Sequence, residues 1–224
     1  MLASFLLPTR GRPSRLLASV HSLWERASQP TRFEVMLRVD DDDVATIEAA
    51  KNLQAAYPQV QLFVGPRGRG YLDLHLMCND LAAASSGEFI VLWNDDATME
   101  TRGWDDVLEE HLFDPPRVYH PSSPGTSRNI FPIVRRSIYQ AMGRFSESAL
   151  NDFYVWTLAK RLNINTSIAL NVIHDHPQVG GTQLDQTYLD AVQACGVCKN
   201  DDKDPRILAC LAEDEAKVAA LLGQ

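Results

Sequence analysis

Phe89-Ile90-Val91-Leu92-Trp93-Asn94-Asp95-Asp96 sets five consecutive large apolar side chains one residue, Asn94, ahead of two adjacent carboxylates. A short apolar run of this kind, ended by charge, reads as a strand buried on both faces in the middle of a sheet. Ionised carboxylates at the tip of a buried strand are costly without partners, which marks Asp95 and Asp96 as candidates for a functional site.

Upstream, the same unit recurs. Residues 2–7 form an apolar run ended by Pro8, a Gly/Pro/Arg turn follows over 9–13, and Leu16, Leu17, Val20, Leu23 and Trp24 then fall on one helical face. Residues 33–39 and 60–64 read as further strands, and residues 47–57 and 72–84 as helices. Strands alternating with helices at this spacing predict an α/β fold with a mainly parallel sheet covered on both faces. The second half is less regular: a helix over 104–112, a Pro-rich stretch over 115–124, a strand near 130–134, a helix over 151–161 and a β-like run over 167–173. A mixed sheet is expected there. A polar, acidic loop over 199–205 leads into Ile207, Leu208, Leu211, Val218, Leu221 and Leu222, the pattern of an amphipathic C-terminal helix over 201–224.

A chain of 224 residues, 45% of them hydrophobic, can bury one ordinary core and is too short for two large domains. No apolar run approaches the roughly 20 residues that cross a bilayer. The apolar N-terminus lacks a basic segment before it and a small-residue cleavage site after it, so a cytoplasmic protein without membrane attachment is expected. The four cysteines, Cys78, Cys195, Cys198 and Cys210, do not make a disulfide framework for a chain of this size. A net charge of −8 disfavours broad, sequence-independent attachment to nucleic acid or anionic lipid, because such binding needs many Lys or Arg contacts to phosphate.

In an open α/β sheet, ligands sit beyond the carboxyl ends of the strands. Here those positions are Thr9-Arg10-Gly11-Arg12-Pro13, Asp40-Asp41-Asp42-Asp43 and Asn94-Asp95-Asp96. Carboxylate clusters delivered to one edge repel each other unless a cation or a hydrogen-bonding ligand lies between them. A divalent metal, Mn²⁺ or Mg²⁺, bridging to phosphate oxygens is the natural occupant. Asp42 and Asp43 read as an N-cap and negative first turn for the following helix. Asp40 is open between that role and a functional one.

The ordered set of Leu6-Leu7-Pro8-Thr9-Arg10-Gly11-Arg12-Pro13, Phe33-Glu34-Val35 leading to the Asp run, Asn79, the segment Ala82-Ala83-Ala84-Ser85-Ser86-Gly87-Glu88-Phe89-Ile90 and Asn94-Asp95-Asp96 resembles glycosyltransferase family 2 and its GT-A-fold relatives. The likeness continues through Pro132-Ile133-Val134-Arg135-Arg136, Gly143-Arg144-Phe145 and Asn151-Asp152 with Trp156, and covers roughly residues 2–161. It implies one Rossmann-like GT-A domain over 1–200, with a nucleotide-sugar-binding half (1–100) and an acceptor half (101–200). The implied activity is metal-dependent transfer of a sugar from a nucleoside-diphosphate sugar to an acceptor hydroxyl, with inversion.

The resemblance also implies roles. Thr9 and Arg10 border the nucleotide, Asp40 binds the nucleobase, Asp95 lies near the ribose, Asp96 holds the metal on the diphosphate, and Asp152 takes the proton from the acceptor hydroxyl. Two positions depart from the family pattern: Asn94 stands where the Asp-x-Asp signature begins, and Asn151 where an acidic residue usually precedes the base. His174-Asp175-His176 follows a strand-like run, and His174 and His176 are the candidates for the missing metal ligand, with an ordinary loop histidine as the plain alternative. A sugar nucleotidyltransferase is the competing enzyme reading, but its glycine-rich loop is not matched by the single glycine of Pro8-Thr9-Arg10-Gly11-Arg12. A non-catalytic nucleotide- or glycan-binding module on the same fold is the other alternative. The acceptor, whether a saccharide, a small molecule, a protein or a modified nucleic acid, is not legible. Cys195 and Cys198 have the spacing of half a zinc site, and Arg67, Arg69, Arg128, Arg135, Arg136 and Arg144 are either a phosphate-facing groove or solvated surface charge.

Overall fold

A computed structural model describes residues 1–124, 130–175, 193 and 203–224. Its first half alternates as expected: β1 (Ala3–Thr9), α1 (Pro13–Arg26), β2 (Phe33–Asp40), α2 (Val44–Ala56), β3 (Val60–Gly65), a 3₁₀ turn (Gly70–Asp73), α3 (Leu74–Ala84) and β4 (Phe89–Leu92). The second half contributes β5 (Ala97–Met99), α4 (Trp104–Glu110), β6 (Val118–Ser122), β7 (Ile133–Arg135), α5 (Arg136–Met142), α6 (Asn151–Arg161), β8 (Asn165–His174) and α7 (Pro205–Leu222).

The strands form one sheet in the order β3-β2-β1-β4-β7-β6-β8-β5. Pairing is parallel through β3, β2, β1 and β4 and again between β6 and β8, and antiparallel where β7 and β5 join. This is the mainly parallel GT-A sheet with a mixed second half. The chain runs outward from β1 to β3 and then returns to the other side of β1 as β4, so a topological switch point lies between the carboxyl ends of β1 and β4.

Side-chain alternation splits the interior into two cores. Phe5, Leu7, Val35, Leu37 and Val91 face α1, α2 and α4, while Leu6, Met36, Ile90 and Leu92 face α3, α5, α6 and α7. Both faces are covered, which is why these strands are apolar throughout rather than alternating. Phe5 anchors the first core with edge-on contacts to Trp93 and Trp104 at 5.4 and 5.1 Å between ring centroids.

Four elements depart from the sequence reading: β1, β6, β5 and α5. β1 continues through Pro8 to Thr9. The Trp93 N–H donates to the Leu6 carbonyl, so Leu6 and, two residues on, Pro8 both face the β4 side. There β4 has already ended at Leu92, and the missing proline N–H costs no ladder bond. The Pro-rich stretch contains β6, whose pairing with β8 shifts register between His120 and Ser122, placing Pro121 at the irregularity. β5 and α5 were not anticipated, being three and seven residues long, too short to show a period. Among the described residues no helix is long and apolar enough to cross a membrane.

Candidate functional site

The loop from β1 into α1 frames the site. Gly11 adopts φ +69°, a left-handed turn suited to glycine, and its N–H donates to Asp43 Oδ2 at 2.6 Å. Pro13 starts α1, its fixed φ suiting the first helical turn. Arg12 thereby becomes the N-cap residue and Arg15 falls within the first turn, three residues on and on the same side of the helix.

From the opposite side of the switch point, β4 delivers Asp95 and Asp96, which are 6% and 7% exposed. Thr9 Oγ1 donates to Asp95 Oδ2 at 2.6 Å, and Arg12 Nη1 donates to Asp95 Oδ1 at 3.0 Å. Arg12 Nη1 and Arg15 Nη1 stand 3.6 and 4.0 Å from Asp96 Oδ2. Burial pushes the Asp95 carboxyl above its ordinary pKa; the Arg12 guanidinium opposes this and the neighbouring Asp96 charge adds to it.

The tip of β4 is held from beneath by Ser19 of α1. Its hydroxyl accepts from the Trp93 indole N–H at 2.8 Å and donates to the Asn94 carbonyl at 3.0 Å. The end of β8 closes the third side. His174 Nε2 stands 3.2 Å from Asp96 Oδ1, the Asp175 N–H donates to the Asp96 carbonyl at 2.9 Å, and Arg15 Nη2 reaches Asp175 Oδ2 at 3.2 Å. Phe131 meets the His174 ring edge-on at 5.4 Å.

A second cluster lies one strand over. Arg10 Nη1 bridges Asp40 at 3.0 Å and Asp42, and Arg38 stands 3.6 Å from the other oxygen of Asp40. Arg10, with help from Arg67, holds the Asp42 carboxyl below the usual range. Asp43 caps α2 by accepting from the Thr46 N–H, the capping role read from the sequence.

Thr9, Asp95, Asp96 and His174 thus form one connected set, and Arg10 and Asp40 form an adjoining one. Asp152 belongs to a separate element, the first turn of α6, where it is half-buried. His176, Cys195, Cys198 and Arg128 lie outside the described residues. The arginines left open between a phosphate-facing groove and solvated surface charge are largely engaged in other contacts. Arg69 pairs with Asp73, Arg135 donates to the His111 and Leu112 carbonyls, Arg136 binds Gly87 and Ser85, and Arg144 binds Asp214. The cations that do face the site are Arg12 and Arg15, and their i,i+3 spacing directly after the first strand was the available signal.

A divalent cation is implied by the resemblance, and the donors suit one. Asp96 and His174 present a carboxylate and an imidazole oxygen-to-nitrogen distance of 3.2 Å apart, with side chains only 4% and 9% exposed. No group of three His, Cys, Asp or Glu side chains converges among the described residues, so the remaining coordination positions would belong to phosphate oxygens and water.

A mainly parallel, doubly wound sheet thus brings a threonine, paired carboxylates and a histidine together at its switch point, the place where sheets of this kind carry their ligands. The profile described as glycosyl transferase family 2 matches residues 4–172, and the chain belongs to that family. No protein of curated function matches it significantly by sequence. Among solved structures it is similar to S. aureus TarS in complex with UDP, at 16% identity and a TM-score of 0.62 over 77% of this chain. It is also similar to TarS in complex with UDP-GlcNAc, at 15% identity, a TM-score of 0.60 and 87% of this chain. The mannosyltransferase PcManGT from Pyrobaculum calidifontis, in complex with GDP-Man and Mn²⁺, superimposes with a TM-score of 0.65 at 11% identity over 97% of this chain. The chain spans 60%, 67% and 74% of the lengths of these three structures. At such identities the likeness carries the fold.

Proposed function

We propose that this protein transfers a sugar from a nucleoside-diphosphate sugar to an acceptor hydroxyl, with a divalent metal, Mn²⁺ or Mg²⁺, and with inversion. The observation that carries the reading is the convergence of Thr9, Arg12, Asp95, Asp96 and His174 at the switch point between β1 and β4. The similar structures hold UDP, UDP-GlcNAc, or GDP-Man with Mn²⁺, which supports a donor of that class.

Asp40, at the end of β2, takes the nucleobase, with Arg10 as its neighbour. Asp95, fixed by Thr9 and Arg12, takes the ribose. Asp96 and His174 would hold the metal, which would supply Lewis-acid stabilisation of the charge that builds on the leaving diphosphate. Asp152 accepts the proton of the acceptor hydroxyl as its oxygen bonds to the anomeric carbon and the bond to the diphosphate breaks. A carboxylate is a weak base toward an alcohol, so proton transfer comes late and the electrostatics of the leaving group dominate the rate. The acceptor is a saccharide, a small molecule, a protein or a modified nucleic acid.

A panel of nucleoside diphosphates screened by thermal shift, with and without Mn²⁺, tests the donor class. One base should stabilise the wild type, and Asp96→Ala should lose both this stabilisation and transfer. Full transfer activity in Asp96→Ala would sink the donor-site assignment. Slow donor hydrolysis by the wild type separates an enzyme from a binding module on the same fold.

A further inference from the structure

The surroundings of Asp96 contain more positive charge than a waiting metal site should. Arg12 and Arg15 side chains are 10% and 17% exposed; Arg12 stands 3.0 Å from Asp95 and 3.6 Å from Asp96, and Arg15, paired with Asp175 at 3.2 Å, stands 4.0 Å from Asp96, the carboxylate that would receive the cation. Two guanidiniums stand against the two buried carboxylates, Asp95 and Asp96, while the exposed Asp175 pairs with Arg15 from the rim, so the buried pair is already countered before any metal enters. An added divalent ion would meet two fixed positive charges near the one carboxylate able to bind it, in a partly desolvated place where repulsion is weakly screened. Asn94, in place of an acidic residue, removes the carboxylate that could have offset them.

A diphosphate changes this balance. Guanidiniums bind phosphate oxygens bidentately, and an arriving diphosphate offers Arg12 and Arg15 anionic partners in place of Asp95 and Asp96. Both arginines flank the start of α1, where the helix dipole also favours an anion. We propose that Arg12 and Arg15 act as resident counter-charges that exclude a divalent metal from Asp96 in the free protein and turn to the diphosphate of the donor, so that metal and nucleotide enter together. This rests on the donor-site reading above and assigns to the β1–α1 arginines a role as the gate for metal.

The consequence is a specific order of affinities. Metal alone binds weakly, nucleoside diphosphate alone binds measurably through the arginines, and each promotes the other. Phosphate ligation of the metal gives some coupling by itself, so the deciding comparison is between wild type and arginine variants with each ligand alone.

Isothermal titration with Mn²⁺ alone, and with UDP and GDP in EDTA, tests this on wild type, Arg12→Gln, Arg15→Gln and Arg12→Lys, with circular dichroism as the check on folding. Each glutamine variant should bind Mn²⁺ alone about tenfold more tightly than wild type, within the usual range of coupling between sites. Each should also bind the preferred nucleoside diphosphate in EDTA about tenfold more weakly. Arg12→Lys, which keeps the charge, should stay near wild type in metal binding. If Arg12→Gln fails to fold, Arg15→Gln and Arg12→Lys decide the matter. Unchanged or weaker Mn²⁺ binding in the glutamine variants would overturn the inference while leaving the donor site standing. Failure of wild type to bind any nucleoside diphosphate even with Mn²⁺ would overturn the donor-site reading, and this inference with it.

Discussion

Replacing Ser19 by alanine removes one hydroxyl that is 1% exposed, yet it should reach the donor site. Ser19 of α1 grips both residues preceding the Asp95-Asp96 pair, taking the Trp93 indole N–H at 2.8 Å and giving its own proton to the Asn94 carbonyl at 3.0 Å. The Asn94 carbonyl keeps the Ala97 N–H at 3.1 Å, so its loss is one ordinary bond, about 0.5–1.5 kcal/mol. The indole N–H is left buried without an acceptor, at about 1–3 kcal/mol. Together Ser19→Ala should destabilise by about 1.5–4.5 kcal/mol, read from urea denaturation with an unchanged slope. The carboxylates two and three residues after Trp93 also lose their support, and a shift approaching 1 Å there should weaken nucleoside-diphosphate binding in the presence of Mn²⁺ by about tenfold or more. Ser22→Ala is the matched control. Ser22 sits one turn on along α1, with its hydroxyl bound to the Met99 N–H and the Ser19 carbonyl, and so serves β5 rather than the site. It should cost similar stability and leave nucleotide affinity near wild type. The reasoning fails if Ser19→Ala is within about 0.5 kcal/mol of wild type, or if both variants weaken the nucleotide equally.

Two further perturbations test the frame. At Gly87 an added Cβ would stand 2.5 Å from the Ala3 carbonyl carbon and 2.6 Å from the Ser4 nitrogen, backbone atoms of a central strand that cannot turn aside. Gly87→Ala should therefore destabilise by about 2 kcal/mol or more, and a melting temperature equal to wild type would contradict it. Asp214 of α7 is fully buried, accepting from Tyr154 Oη at 2.6 Å and Arg144 Nη2 at 2.9 Å, and burial raises its pKa above the unfolded value despite these partners. A raised carboxyl contributes stability that is full below the unfolded pKa and is lost as pH rises through the folded one. The wild type should therefore gain on Asp214→Asn as the pH falls from 7.5 to 4.5; denaturation curves showing the difference shrink toward acid would mean the ion pair dominates instead.

Much of the frame was legible in the residues. The helix over 151–161 was read with both ends correct, because Asn151 to Arg161 carries a clear helical period and α6 buries it against β6, β8 and α7. The strand at Phe89 and the carboxylates at its tip were legible because an apolar run ended by charge describes a local fact, burial followed by exposure to a site. Arg135, Arg136 and Arg144 show where this stops. Each is a basic residue in the sequence, and nothing beside it says that its partner is a helix-end carbonyl, a loop carbonyl 49 residues away or a buried carboxylate 70 residues away.

By itself the sequence determined the doubly wound first half, the parallel core and the placing of Asp95 and Asp96 at a strand end, since strand and helix periods record which faces are buried. The sequence offered His174 and His176 as candidates beside Asp96, and the tertiary structure decided that His174, Arg12 and Arg15 meet it. His174 comes 78 residues later on β8, and Arg12 and Arg15 come 84 and 81 residues earlier around the start of α1. Periodicity reports that a face is buried, not what covers it. The antiparallel pairing of Ala97 with His174 and the switch of direction at β1 bring these groups within 4.0 Å of one carboxylate. That meeting is a property of sheet order, which no local stretch of the chain contains.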